Sequence, residues 1–173
     1  DHDRFEVYAY SLTERRDDYT QQLSQLVDVW RDVADRPIAE IAQCIYDDEI
    51  DILFDLAGHT ANNGLPVLAR RPAPVQLSGI GYMATTGLPA VDYFLTDNFM
   101  DPVGSNEPYF TEKLLRVSSH LCYAGISDRL PASEGAPVRK RGWILFGIFN
   151  DYRKYTDKML RVWRDILNQL PNA

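Results

Sequence analysis

The feature that most constrains this chain is a junction at residues 36–60, where "RPIAEIAQCIYDDEI" runs straight into "DILFDLAGHT". The first segment opens on a proline near its first turn and repeats Ile38, Ile41, Ala42 and Ile45 at helical spacing, which predicts an amphipathic helix. The second gathers Ile52, Leu53, Phe54 and Leu56 into a near-continuous apolar run, as expected of a parallel strand covered on both faces. A helix that delivers the chain directly into such a strand predicts an α/β fold with a mainly parallel sheet.

The rest of the chain fits that pattern. "RFEVYAYSL" (4–12) alternates and is rich in Phe, Val and Tyr, so it reads as a strand. "YTQQLSQLVDVWRDV" (19–33) carries Leu23, Leu26, Val27 and Trp30 at helical spacing and reads as one helix. "NNGLPVLARRPAP" reads as a short helix or turn, and strands are expected at 75–83, 90–100 and 112–119. Residues 124–140 are rich in Pro, Gly, Ser and charge and read as a linker or exposed loop. Beyond it, "WILFGIFN" (143–150) reads as a strand and "DKMLRVWRDILNQLP" (157–171) as an amphipathic helix. The expected organisation is a Rossmann-like lobe over 1–123, the linker, and the start of a second α/β lobe over 141–173. Both ends read as cut from a longer protein. An uncovered apolar face on the last helix would favour self-association, so a homo-oligomer is expected.

Composition narrows the function classes. At 173 residues and 45% hydrophobic, the chain can bury a real core. Its net charge of −7 argues against a generic binder of nucleic-acid backbone, which needs clustered Lys and Arg. Cys44 and Cys122 stand far apart, with no CxxC and no nearby His pair, so neither a disulfide framework nor a zinc site is expected. No apolar run reaches the roughly 18–20 residues of a membrane span. A reducing cytoplasm is the expected compartment.

In open α/β sheets ligands bind beyond the carboxyl ends of the strands, which directs attention to "AGHT" (57–60), "GYMATTG" (81–87), "TDN" (96–98) and "NDYRK" (150–154). His59 is either part of a tight, locally hydrogen-bonded turn or a cleft residue. In "GYMATTG" the glycines either supply positive φ at Gly81 or Gly87, or let backbone N–H groups and the hydroxyls of Thr85 and Thr86 face a ligand. "NDYRK" is either helix-start chemistry or an anion site, with Asn150, Arg153 and Lys154 near a helix N-terminus. Asp47, Asp48 and Glu49 read as a solvated loop, whereas Asp55, Asp92 and Asp97 read as carboxylates bonded to nearby backbone. No Ser-His-Asp order, P-loop or G-x-G-x-x-G fingerprint is present.

The runs "DILFDLAGHT", "ARRPAPVQLSGIGYMATTGLPAVDYFLTD" and "FGIFNDYRKYTDKMLRVWRDILNQLPN" resemble consecutive pieces of the catalytic region of O-linked N-acetylglucosamine transferases and their SPINDLY-like relatives. The resemblance implies two Rossmann-like lobes in the GT-B arrangement, often behind tetratricopeptide helices, that bind a UDP-sugar and glycosylate Ser or Thr of a protein without a metal cofactor. It implies that Ile80 and Gly81 lie near the donor sugar through their backbone, and that Lys154 takes the place of the lysine at the donor diphosphate. Asp151 falls where relatives carry Gln or Asn against the nucleotide, a departure that sets a carboxylate near an anion. The family's His-Pro motif and most of its second lobe lie outside this segment, so the segment alone is expected to be inactive. The alternative is a non-catalytic protein-binding module built on a transferase lobe.

Overall fold

A computed structural model describes residues 3–119, 135–170 and 172. The chain divides into two compact units, Asp1–Cys122 and Tyr123–Ala173.

The first unit carries two parallel sheets. β1 (Tyr8–Ser11) pairs with β2 (Val29–Asp32), while β3 (Ile52–Asp55), β4 (Val75–Gly79), β5 (Tyr93–Asp97) and β6 (Lys113–Val117) form a second sheet in that order. Every pairing is parallel, as the helix-into-strand junction predicts. Helix α2 (Ile38–Asp47) turns Ile41, Ala42 and Ile45 inward. They pack with Val33 and with Val67 of the short helix α3 (Leu65–Leu68), and with Tyr10, Leu12, Ile50 and Leu53 at the margin. Each fully buried isoleucine or valine contributes roughly 1.5–3 kcal/mol by leaving water, so α2 ties the strands into one core.

Residues 19–33 are not one helix. Helix α1 (Asp18–Ser24) is closed at its start by a reciprocal cap between Asp17 and Thr20, and it stops before the last apolar residues. Val29–Asp32 instead pair with β1, and the Asp28 carboxylate accepts from Val7 N at 2.7 Å to fix the register. The helical spacing of Leu26, Val27 and Trp30 coexists with a period-two pattern through Val27, Val29, Arg31 and Val33, and strand pairing selects the latter.

The larger sheet is covered on one face only. Gln76, Ser78, Phe94 and Thr96 are buried on the covered side. On the other, Ile52, Phe54, Leu115 and Val117 are exposed, with Ile52 at 61%. Strand register places Val75, Leu77, Tyr93 and Leu95 on that same face. The expectation that β3 is covered on both faces is therefore corrected. The connections of β3–β6 march in one direction across the sheet, and right-handed crossovers then all fall on one side.

The aspartates after α2 also depart from expectation. Asp48 is no solvated residue: it accepts from Tyr10 Oη at 2.7 Å and forms a two-pronged ion pair with Arg31. Its carboxyl lies below its usual range, chiefly through Arg31. Burial and the bond to Asp48 push the Tyr10 phenol up. One carboxylate thus joins β1, β2 and the end of α2.

The second unit contains α4 (Pro137–Arg141), a 3-10 turn at Tyr152–Lys154 and α5 (Asp157–Gln169). α4 begins within the expected 124–140 linker, of which residues 124–134 fall outside the described residues. The strand expected at 143–150 is absent, and Trp143, Leu145, Phe146 and Phe149 are exposed. A strand requires a ladder partner for its backbone groups, and the described residues of this unit include no strand to provide one. α5 forms as expected, capped by the Thr156 hydroxyl on Met159 N, with Trp163 edge-on to Tyr155 at 5.2 Å.

Candidate functional site

Asp55, at the end of β3, shapes the first loop. Its buried carboxylate accepts from Ala57 N at 3.2 Å, Gly58 N at 2.9 Å and Ser78 Oγ at 2.7 Å. This turn holds Gly58 at φ +53°, where any side chain would collide with Tyr82, 2.4 Å from a Cβ built there. The next residue, His59, reaches across to the loop after β4. Its Nε2 lies 3.2 Å from the Thr85 carbonyl oxygen, an acceptor, so this nitrogen carries the proton. The imidazole also meets Tyr82 edge-on at 5.5 Å. His59 therefore bridges two loops rather than bonding within its own turn.

Beyond β4 the chain makes a γ-turn, in which Gly81 N donates to Gly79 O at 2.8 Å. Its central residue is Ile80, at φ +70°. A β-branched residue there is a backbone outlier, and such strain costs about 1–3 kcal/mol and concentrates at functional sites. The expected positive φ occurs at Gly87, at +72°, but falls on Ile80 in place of Gly81. Gly81 is required for space instead: a Cβ would stand 1.9 Å from the Leu56 carbonyl oxygen. The two loops thus touch backbone to backbone, leaving Ile80 half-exposed.

The threonines are committed to the scaffold. Thr85 Oγ1 donates to Glu112 Oε2 at 2.7 Å, and Thr86 N donates to Glu112 Oε1 at 2.7 Å, joined there by the Thr86 hydroxyl. The same hydroxyl oxygens accept from Gly87 N at 3.0 Å and Leu88 N at 3.2 Å. Burial pushes the Glu112 carboxyl up, but the bonds from Thr86 and Thr85 more than offset this and hold it below its ordinary value. Thr86 and Glu112 are both buried. Of the two readings of these hydroxyls, the structure realises the one in which they hold the loop.

The RPAP-Q pattern is also scaffold. Arg71 donates to Ala90 O at 2.8 Å and Pro74 O at 3.0 Å, and pairs with Asp92 at 2.9 Å. Buried Gln76 donates to Leu68 O at 2.9 Å and Ala90 O at 2.8 Å. Asp97 accepts from Phe99 N and Met100 N, as expected for a carboxylate bonded to local backbone, whereas Asp92 accepts from the distant Gln76 N and pairs with Arg71. Neither Glu112 nor Tyr82 was marked by local sequence, because the partners of each lie more than twenty residues away along the chain.

In the second unit, Asn150 Oδ1 accepts from Asp151 N at 2.9 Å. Asp151 caps the 3-10 turn through Arg153 N at 2.9 Å and pairs with the Arg153 guanidinium at 2.7 Å. That guanidinium holds the Asp151 carboxyl below its usual range. Arg153 is thus engaged with Asp151. Lys154 closes the turn, exposed, three residues ahead of α5. His59, Ile80, Gly81, Thr85 and Thr86 form one contiguous group in the first unit; Asn150, Asp151 and Lys154 form another in the second. Among the described residues no group of three or more His, Cys, Asp or Glu could hold a metal, and no helix is long and apolar enough to cross a membrane.

The family model for Glycosyl transferase family 41 matches residues 1–126. The chain belongs to glycosyl transferase family 41. Over its whole length it is 38% identical to the protein named "Probable UDP-N-acetylglucosamine--peptide N-acetylglucosaminyltransferase SPINDLY" of Eustoma exaltatum subsp. russellianum. It is 28% identical, over 97% of its length, to the SEC protein of Arabidopsis thaliana, which has the same enzyme name. Its fold matches a solved mutant of Thermobaculum terrenum O-GlcNAc transferase with a TM-score of 0.78 and 37% identity, over 97% of this chain and 31% of that one. The parallel α/β lobe is therefore that of a family 41 glycosyltransferase. The chain spans 19% of the length of the Eustoma relative.

Proposed function

We propose that this chain is the donor-facing part of a protein O-glycosyltransferase, which transfers N-acetylglucosamine from its UDP-sugar to Ser or Thr of protein acceptors. The observation that carries the proposal is the strained Ile80 turn, pressed on Leu56 by Gly81, at the carboxyl end of a parallel sheet in a family 41 chain. In this reading the backbone at Ile80 and Gly81 meets the donor sugar, and His59 keeps the two loops in register. Lys154 stabilises the charge that develops on the diphosphate as the glycosidic bond breaks. No bound metal or cofactor enters the proposal. Acceptor contacts and the remaining donor contacts come from the rest of the full-length protein, so the segment alone does not turn over. The protein works in the cytoplasm alongside tetratricopeptide helices.

Asp151 favours a second reading, a degenerate lobe that docks a protein and binds no nucleotide, because its carboxylate would repel a diphosphate; the Arg153 guanidinium pairs with it at 2.7 Å. That pairing answers the objection in part, since the guanidinium neutralises the carboxylate beside Lys154. The deciding experiment incubates the full-length protein with UDP-N-acetylglucosamine and protein acceptors and reads the mass added to Ser and Thr. Transfer that drops about 10²–10³-fold in Lys154→Ala is expected from losing one electrostatic stabiliser. No transfer from any nucleotide sugar would overturn the proposal.

A further inference from the structure

We infer that Glu112 is a positioning residue which, through Thr85 and Thr86, sets the sugar end of the donor site; this rests on the function proposed above. Glu112 lies just before β6 and is 5% exposed, yet its two oxygens take hydrogen bonds from Thr85 Oγ1, Thr86 N and Thr86 Oγ1. Burying a carboxylate is costly unless it is well hydrogen-bonded. A loop that only had to reverse the chain could be closed by neutral groups. What the carboxylate adds is strength, since bonds to an ionised acceptor are roughly twice as strong as neutral ones.

The bonds propagate. Thr85 Oγ1 accepts from Gly87 N at 3.0 Å and Thr111 N at 3.2 Å, Thr86 Oγ1 accepts from Leu88 N at 3.2 Å, and Thr85 O is held by His59. Residues 85–88 are thereby fixed to β6 and to the loop after β3. At the other end of the same loop, Gly81 abuts Leu56 and Tyr82 wedges against Gly58. The strained, half-exposed Ile80 is the open corner of a frame clamped at both ends. A γ-turn with a left-handed isoleucine persists only where its surroundings over-determine it, and Glu112 is the buried charge at the 85–88 end of that frame, as Asp55 is on the loop after β3. Loss of Glu112 relaxes the corner at Ile80 that meets the sugar in the function proposed above, and alters no residue assigned there to the diphosphate.

The test uses the full-length protein, with UDP-N-acetylglucosamine and UDP titrated separately by calorimetry and thermal melts recorded alongside. Glu112→Gln and Thr85→Val are expected to weaken UDP-N-acetylglucosamine about tenfold, the effect of losing one charge-assisted hydrogen bond, and to leave UDP within about twofold. Thr85→Ser, which keeps the hydroxyl, recovers most of the affinity lost in Thr85→Val. Should Glu112→Gln fail to fold, Thr85→Val, which removes a single hydroxyl, carries the test. Folded variants that bind both ligands as the wild type does, or lose both in equal proportion, overturn this inference alone. A wild-type protein that binds neither ligand overturns the proposed function and this inference with it.

Discussion

Ile80 and Gly81 are neighbours with opposite constraints. Ile80 carries a conformation that suits glycine, and Gly81 occupies a space that admits only glycine. Their substitutions should therefore move stability in opposite directions. Ile80→Gly releases strain and should hold or raise stability, by up to about 1 kcal/mol, while donor affinity falls because the corner is no longer fixed. Gly81→Ala drives a methyl into the Leu56 carbonyl and should destabilise by about 1–3 kcal/mol, the usual range for overpacking. Thermal melts of the two variants check both signs; a stabilised Gly81→Ala would contradict the close approach. The glycine-rich loop was legible in sequence as one that needs positive φ, which occurs at Gly87, whereas the packing of Gly81 on Leu56 was not. Nor was the strain at Ile80, because a positive φ on isoleucine is imposed by contacts with residues 56–58, which no local propensity encodes. Glu112 was invisible for the same reason: its meaning lies 26 residues upstream, at Thr86.

At the scale of elements, α2 was legible because its periodicity and its tertiary environment agree, and β3 was legible as a parallel strand although only one of its faces is covered. The 19–33 segment satisfies two periods at once, and pairing with β1 decides between them. The 143–150 run shows the converse, an apolar segment with strand composition and no ladder partner among the described residues of its unit. Several elements are joined through ionised carboxylates, which has a consequence for acid stability. Arg31 holds Asp48 below its usual range. At Asp92 burial acts upward, and Gln76 N with Arg71 more than offsets it. The backbone N–H groups of Glu107 and Gly104 bring Glu107 down to about 2. A carboxyl whose folded pKa is depressed contributes stability that is fully present above its unfolded pKa, about 4, and is lost as pH falls through the folded value. Urea midpoints should therefore decline as pH drops from about 4.5 towards 2, and Asp48→Asn should make the decline shallower while costing about 1–3 kcal/mol at neutral pH. Midpoints that rise on acidification would contradict these assignments.

At the scale of the whole molecule, the larger sheet is unevenly covered. Its covered face holds Gln76, Ser78 and Thr96 in hydrogen-bond networks, while Ile52, Phe54, Leu115 and Val117 lie exposed on the other. Parallel sheets are ordinarily layered on both sides, so this aliphatic face is a surface suited to a further layer. The sequence reading expected both sides to be covered, since an apolar run states that a side chain seeks burial but not which segment buries it. Fold class and family were legible from the same runs, and family membership rests on residues 1–126 together with identity along the whole chain. Nucleotide binding is the property that a working transferase lobe needs and a degenerate docking module lacks. Its most direct measurement is a calorimetric titration of UDP into the full-length protein and its Lys154→Ala variant. The account predicts saturable binding that weakens about tenfold or more in the variant, as expected when a charged donor to a diphosphate is removed; no saturable binding, or equal binding by the two proteins, would contradict it.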